Sequence, residues 1–193
     1  MINVEHACHR ASELNAQHDL RGAIEAWSAI LGHEPRCSLA RYALIRLCIE
    51  VSDFERAKAL CEAGEALVDD ALSLAGSSHY FQSVYRTQDA LDRARRAWAH
   101  DGDSPIAAYA YHGSLLLSGD EVGARDFLAS ISGRFLEHSE LEVERASQPE
   151  YAPPEQYELM KEVVRRFPQC RTARFVLITV LNIFGIKKVK AFQ

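Results

Sequence analysis

His6-Ala7-Cys8-His9 is the tightest gathering of metal-ligand side chains in this 193-residue chain. On a helix, His6 and His9 share one face at a spacing of three. A tetrahedral zinc site needs further ligands, and the neighbourhood adds only Cys8, so the segment reads as a solvated amino-terminal helix and neither a metal nor any other cofactor is expected. Ser78-His79 and His112-Gly113-Ser114 place hydroxyls beside imidazoles. Residues one or two apart on a helix point in different directions, so neither pair makes a nucleophilic triad. Glu137, Glu140, Glu142 and Glu144 could pair carboxylates for acid and base work, but such a run reads as a solvated helix face. A glycine-rich phosphate loop, paired-cysteine zinc spacing, a metalloprotease helix motif and a glycine-flanked serine are all missing from the sequence. An enzyme is therefore not expected.

The elements carrying these residues are helical. Helices are expected near 2–16, 20–32, 37–51, 54–72, 77–88, 90–100, 105–118, 121–132, 137–147, 155–167 and 170–184, because no run keeps the two-residue alternation of a sheet. Gly102-Asp103-Ser104-Pro105 and Gly119-Asp120 are turn chemistry. Ser147 to Pro154 holds three of the six prolines and marks an interruption.

A short phrase recurs along the helices: Asp19-Leu20-Arg21-Gly22-Ala23, Asp53-Phe54-Glu55-Arg56-Ala57, Ala90-Leu91-Asp92-Arg93-Ala94 and Asp120-Glu121-Val122-Gly123-Ala124. The closing alanines lie 34, 37 and 30 residues apart, the period at which helix-turn-helix units stack into a solenoid. Ala23 is followed by Trp27, Ile30 and Pro35; Ala57 by Cys61 and Gly64; Ala94 by Trp98 and Pro105; Ala124 by Leu128 and Ile131. These residues resemble the tetratricopeptide repeat, in degenerate form because the family's first-helix tryptophan and glycine are missing. The resemblance implies an all-α fold, a right-handed α-α solenoid of antiparallel helix pairs with about five units and a terminal half unit. Residues 1–133 are expected to hold four pairs, and 134–193 a divergent continuation interrupted near 147–154. An echo supports the continuation: Pro35 to Ile45 matches Pro168 to Ile178 in proline, cysteine, alanine, arginine, leucine and isoleucine at a constant offset of 133. Gly185 to Phe192 also resembles Asp53 to Leu60, at an offset of 132, as the start of a further helix.

In such solenoids the first helix of each unit lines an inner groove. Aligning the units puts Cys8, Tyr42, His79 and Tyr109 at equivalent places there, with His9, Ala43, Tyr80 and Ala110 one residue on. Ser12, Arg46, Ser83 and Gly113 lie one turn further, and Asn15, Ile49, Arg86 and Leu116 complete the row. Tyr42, Arg46, His79, Tyr80, Arg86 and Tyr109 are the expected partner-binding residues, since aromatic rings and arginine anchor interfaces. The alternative for Tyr42 and Tyr109 is packing between adjacent helices. The family's lysine and asparagine clamp for carboxyl-terminal peptides is not reproduced in this row.

Phe175 to Phe184 is apolar nearly all round, which marks a buried helix, and is too short to span a bilayer. A homodimer through this helix would use Leu177, Val180, Leu181 and Phe184; the alternative is that Val163, Val164 and Phe167 cover them within the chain. A net charge of −5 argues against a nucleic-acid surface. Five cysteines without paired spacing and a start without a secretory pattern point to the cytoplasm. The expected function is a protein-interaction scaffold that receives a peptide or partner protein in a helical groove. An amino-terminal regulatory or positioning domain of a larger bacterial enzyme, such as a glycosyltransferase, and a free-standing enzyme are the alternatives.

Overall fold

The structure, a computed structural model, describes residues 3–183. Among these it forms eleven helices and no strand: α1 (Val4–Ala16), α2 (Leu20–His33), α3 (Ser38–Glu50), α4 (Phe54–Leu67), α5 (Ala71–Ser83), α6 (Thr87–His100), α7 (Pro105–Leu117), α8 (Glu121–Ser130), α9 (Ser139–Ala146), α10 (Pro153–Arg166) and α11 (Arg171–Ile183). The helices divide into a unit spanning Met1–Ala124 and a second spanning Arg125–Gln193. No described helix is long and apolar enough to cross a membrane. Phe184 and the Gly185–Phe192 echo lie outside the described residues.

Most helix starts in the first unit are set by short acceptor side chains, α3 and α6 being the exceptions. Asp19, Asp53 and Asp120 accept hydrogen bonds from the amides of Gly22, Arg56 and Gly123 at 2.9, 3.2 and 2.8 Å, satisfying donors that have no intrahelical partner. The residue before each cap adopts positive φ: His18, Ser52 and Gly119, joined by Tyr85 in the third pair. These four positions lie 34, 33 and 34 residues apart. In the third pair the capping residue is Arg86, which makes no side-chain cap bond.

This spacing corrects the repeat register. The residue that answers Ala23, Ala57 and Ala124 is Ala90, not Ala94, so the true period is 34, 33 and 34 rather than 34, 37 and 30. Each second helix then buries the same three positions: Ala23, Trp27 and Ile30; Ala57, Cys61 and Gly64; Ala90, Ala94 and Ala97; Ala124, Leu128 and Ile131. Trp98 falls outside the set and is half-buried beside the α5–α7 core. With Ala57 and Ala90 both fully buried, Ala57→Leu and Ala90→Leu should each cost about 1–3 kcal/mol by overpacking. Urea denaturation measures this, and wild-type stability in both variants would refute the pairing.

The α4–α5 boundary also differs from expectation. The helix expected to run to 72 stops at Leu67, and Asp70 starts α5 by accepting from the Ser73 amide at 2.8 Å. Residues 73–76, left between the expected helices 54–72 and 77–88, instead lie inside α5. A Cβ on Gly76 would sit 2.9 Å from Ile45 Cδ1 and 3.6 Å from the Tyr42 ring, so glycine there lets α5 pack closely on α3. Gly64 serves Arg41 in the same way, since a Cβ there would lie 2.7 Å from Arg41 Cδ. Arg41 is 1% exposed, donates to the Pro35 carbonyl, and has its pKa lowered by burial against the opposing pull of Asp70.

Within the second unit, α10 and α11 repeat α2 and α3 at an offset of 133 in both helix bounds. Trp27, Ile30, Ala40, Leu44 and Leu47 form one core; Met160, Val163, Ala173, Leu177 and Val180 form its counterpart. Three of the four side chains expected at a dimer contact, Leu177, Val180 and Leu181, pack within the chain. Leu177 and Val180 are 8% exposed, and Leu181 packs on the same core with Val164 and Phe167. The helix is not buried all round: its open side carries Phe175 and Ile178, 70% and 56% exposed. Their counterparts Tyr42 and Ile45 are buried, because α5 packs on that side of α3.

Candidate functional site

The first helices of successive pairs lie side by side, α3 against α5 and α5 against α7. Each carries one stripe at spacings of three and four, the pattern of a single helix face. On α3 the stripe is Leu39, Ala43, Arg46 and Glu50; on α5 it is Leu72, Gly76, His79 and Ser83; on α7 it is Ile106, Ala110, Gly113 and Leu117. The corrected period sets these stripes in register. One edge is apolar, made by Leu39, Leu72 and Ile106. The middle holds only small residues, Ala43, Gly76 and Ala110, the last two buried where the helices pack together. The other edge brings Arg46 and His79 together with Gly113. The result is a shallow trough with an aliphatic wall and a polar wall.

Three of the expected binding residues come together around His79. The His79 ring lies 5.8 Å from Tyr42 and 5.7 Å from Tyr109, tilted against both, and His79 Nε2 and Tyr42 Oη share a hydrogen bond of 3.3 Å. The Arg46 guanidinium sits 5.9 Å from the Tyr42 ring centroid. His79 reaches both tyrosines because it stands one turn further along α5 than they do on α3 and α7. The residue level with the tyrosines is Ala75, which leaves room between them. Tyr42 is 6% exposed, so it packs between helices, while His79 and Tyr109 are half-buried and Arg46 is exposed.

Arg86 does not join them. It lies beyond the end of α5, where its Nε donates to Asp89 at 2.8 Å and its guanidinium covers the Phe81 ring at 4.8 Å. The expectation fails because the aligned row is one turn out of register in the third pair. Tyr80 stands beside the trough, its ring 5.3 Å from Phe81.

The remaining sequence candidates have structural surroundings. Ser78 Oγ donates to the Ala90 carbonyl and shares a 3.0 Å bond with Ser114 Oγ; Gln82 Nε2 donates to Ser114 Oγ at 2.9 Å and to the Ala110 carbonyl at 3.1 Å. This buried network ties α5 to α6 and α7, and neither serine faces an imidazole as a nucleophile would. Sequence reading misses Gln82 because its partners lie on other helices. His9 pairs with Glu13 at 3.4 Å on the exposed side of α1, and no group of three metal-ligand side chains gathers among the described residues. The acidic run is not a solvated face throughout: Glu142 accepts from Arg145 and, at 2.9 Å, from Arg166, joining α9 to α10. Burial raises the Glu144 carboxyl pKa.

Comparison with solved structures gives the fold. A thermophilic tetratricopeptide-repeat protein of Thermus thermophilus, TTC0263, superposes with a TM-score of 0.72 at 16% identity, covering 93% of this chain and 99% of that one. A tetratricopeptide-repeat protein from Parabacteroides merdae gives 0.50 at 13% identity over 94% of this chain and 73% of its own. The MamA protein gives 0.50 at 14% identity, with 98% of each chain covered. No protein-family model matches the sequence, and no curated protein matches it.

Proposed function

From a tetratricopeptide-like helical repeat fold, we propose that this chain is a protein-interaction module that holds a segment of another protein in the trough across α3, α5 and α7. The observation that carries this reading is the pairing of two walls. Leu39, Leu72 and Ile106 offer apolar area, and Arg46 with His79 offers donors to acidic or carbonyl groups. A segment with apolar side chains on one side and acidic groups on the other would satisfy both. Tyr109 supplies a rigid half-exposed ring at low entropic cost; Tyr42 supports His79 from beneath. No catalytic role is assigned, and the five free thiols suit a cytoplasmic setting.

The test uses peptides selected from a displayed random library against the wild-type chain. The double variant Arg46→Ala, His79→Ala should bind them about tenfold or more weakly, as expected when interface anchors are truncated. Its circular dichroism should keep the wild-type helical signal, because an exposed arginine contributes little to folding and His79 is only half-buried. Equal affinity for both proteins would remove the trough as the binding surface.

A further inference from the structure

Helix α9 has eight residues, where α1, α3, α5 and α7 each have thirteen. The chain leaves it at Ser147 and runs through Pro149 to Ala152, where α10 begins with two prolines. This shortened helix and its following loop border a cleft of ≈ 390 Å³ within the second unit, with Leu128 and Ala129 of α8 among its lining. The volume is near the lower end for small-molecule sites.

The wall of the cleft is fixed by bonds within the chain. Arg145 donates to the carbonyls of Ile131 and Arg134 at 3.1 and 2.8 Å and pairs with Glu142. Gln148 Nε2 donates to the Glu144 carbonyl at 2.9 Å, and Gln156 Nε2 donates to the Gln148 carbonyl at 2.8 Å. Other lining groups have no such commitments. Arg125 and Glu150 are exposed and make no ion pair among the described residues, and the hydroxyls of Ser132 and Tyr151 make no hydrogen bond there. One uncommitted charge of each sign, two uncommitted hydroxyls and a small apolar patch therefore line one cleft.

We propose that this cleft binds a small zwitterion, a free amino acid or a short peptide, with its carboxylate on Arg125, its ammonium on Glu150 and an apolar side chain over Leu128 and Ala129. The site is separate from the trough and does not depend on it. Arginine suits the carboxylate because its guanidinium donates two parallel bonds. Glu150 excludes simple carboxylic acids that bring no compensating positive charge.

Calorimetric titration of the whole chain with each standard free L-amino acid, and with leucyl-leucine, tests the assignment. Saturable binding of at least one apolar member is expected, and whether the free amino acid or the dipeptide binds more tightly identifies the source. Arg125→Gln and Glu150→Gln should each weaken it about tenfold or more, the scale of a lost charge-assisted bond. With the amine acetylated, the ligand should bind more weakly to wild type and lose its sensitivity to Glu150→Gln. Both replaced residues are exposed, so unchanged circular dichroism separates a site effect from unfolding. No saturable heat from any probe, or binding indifferent to both substitutions, would overturn the proposal.

Discussion

Replacing Trp27 by alanine should destabilise the chain by about 3–5 kcal/mol, the usual cost of emptying a tryptophan-sized core site. Trp27 is 2% exposed and packs with Ile30, Ala40 and Leu44 in the core shared by α1, α2 and α3. Trp98 is the informative control. The sequence phrase ending at Ala94 puts Trp98 in the same slot, whereas the corrected repeat gives that slot to Ala94 and leaves Trp98 half-buried. Trp98→Ala should therefore cost no more than about 2 kcal/mol, within the range of ordinary substitutions outside the tight core. Urea unfolding of the two variants measures both values. Equal losses would return the third pair to the register ending at Ala94.

Acid should destabilise the protein through His112. This side chain is 1% exposed on α7, and burial pushes its pKa down from 6.5 to about 4. Between those values the unfolded chain binds a proton that the folded chain refuses, so the stability present above pH 6.5 falls as the pH is lowered. At about 1.4 kcal/mol for each pH unit, the contribution lost is about 2 kcal/mol by pH 5 and about 3 kcal/mol by pH 4. Carboxylates add their own acid dependence, so the comparison that isolates His112 is with His112→Leu. The drop in unfolding free energy between pH 7 and pH 5 should be smaller in that variant by about 2 kcal/mol. Identical drops in the two proteins would show that His112 does not titrate as a buried group.

Most of the helical order is legible in the sequence because aspartate caps, small buried residues and prolines act locally. Asp19, Asp53 and Asp120 mark their helix starts by residue type, and each precedes a buried alanine by four positions. The third pair hides its start because Arg86 replaces the aspartate and Tyr85 occupies the positive-φ position. The recurring phrase then falls on Ala90 to Ala94, one turn late. The expected gap at 73–76 misleads for a related reason, since Gly76, required by close packing of α5 on α3, has the same sequence appearance as a breaker. The Tyr42, His79 and Tyr109 cluster is legible despite the misregister, because a one-turn shift still leaves an i+4 residue on the same helix face. Arg86 is lost to it, since no helix continues there. The ion pairs of Glu142 and the cleft beside Arg125 depend on distant helices, and no local pattern announces them.

The central claim is that the trough across α3, α5 and α7 forms the partner-binding surface. Backbone amide chemical-shift mapping tests it most directly, using a peptide selected blind against the whole chain. Shifts concentrated on Leu39 to Glu50, Leu72 to Ser83 and Ile106 to Leu117, largest near Arg46 and His79, are the predicted result. Shifts confined to α2, α4 and α6, or to the cleft beside Arg125, would contradict it.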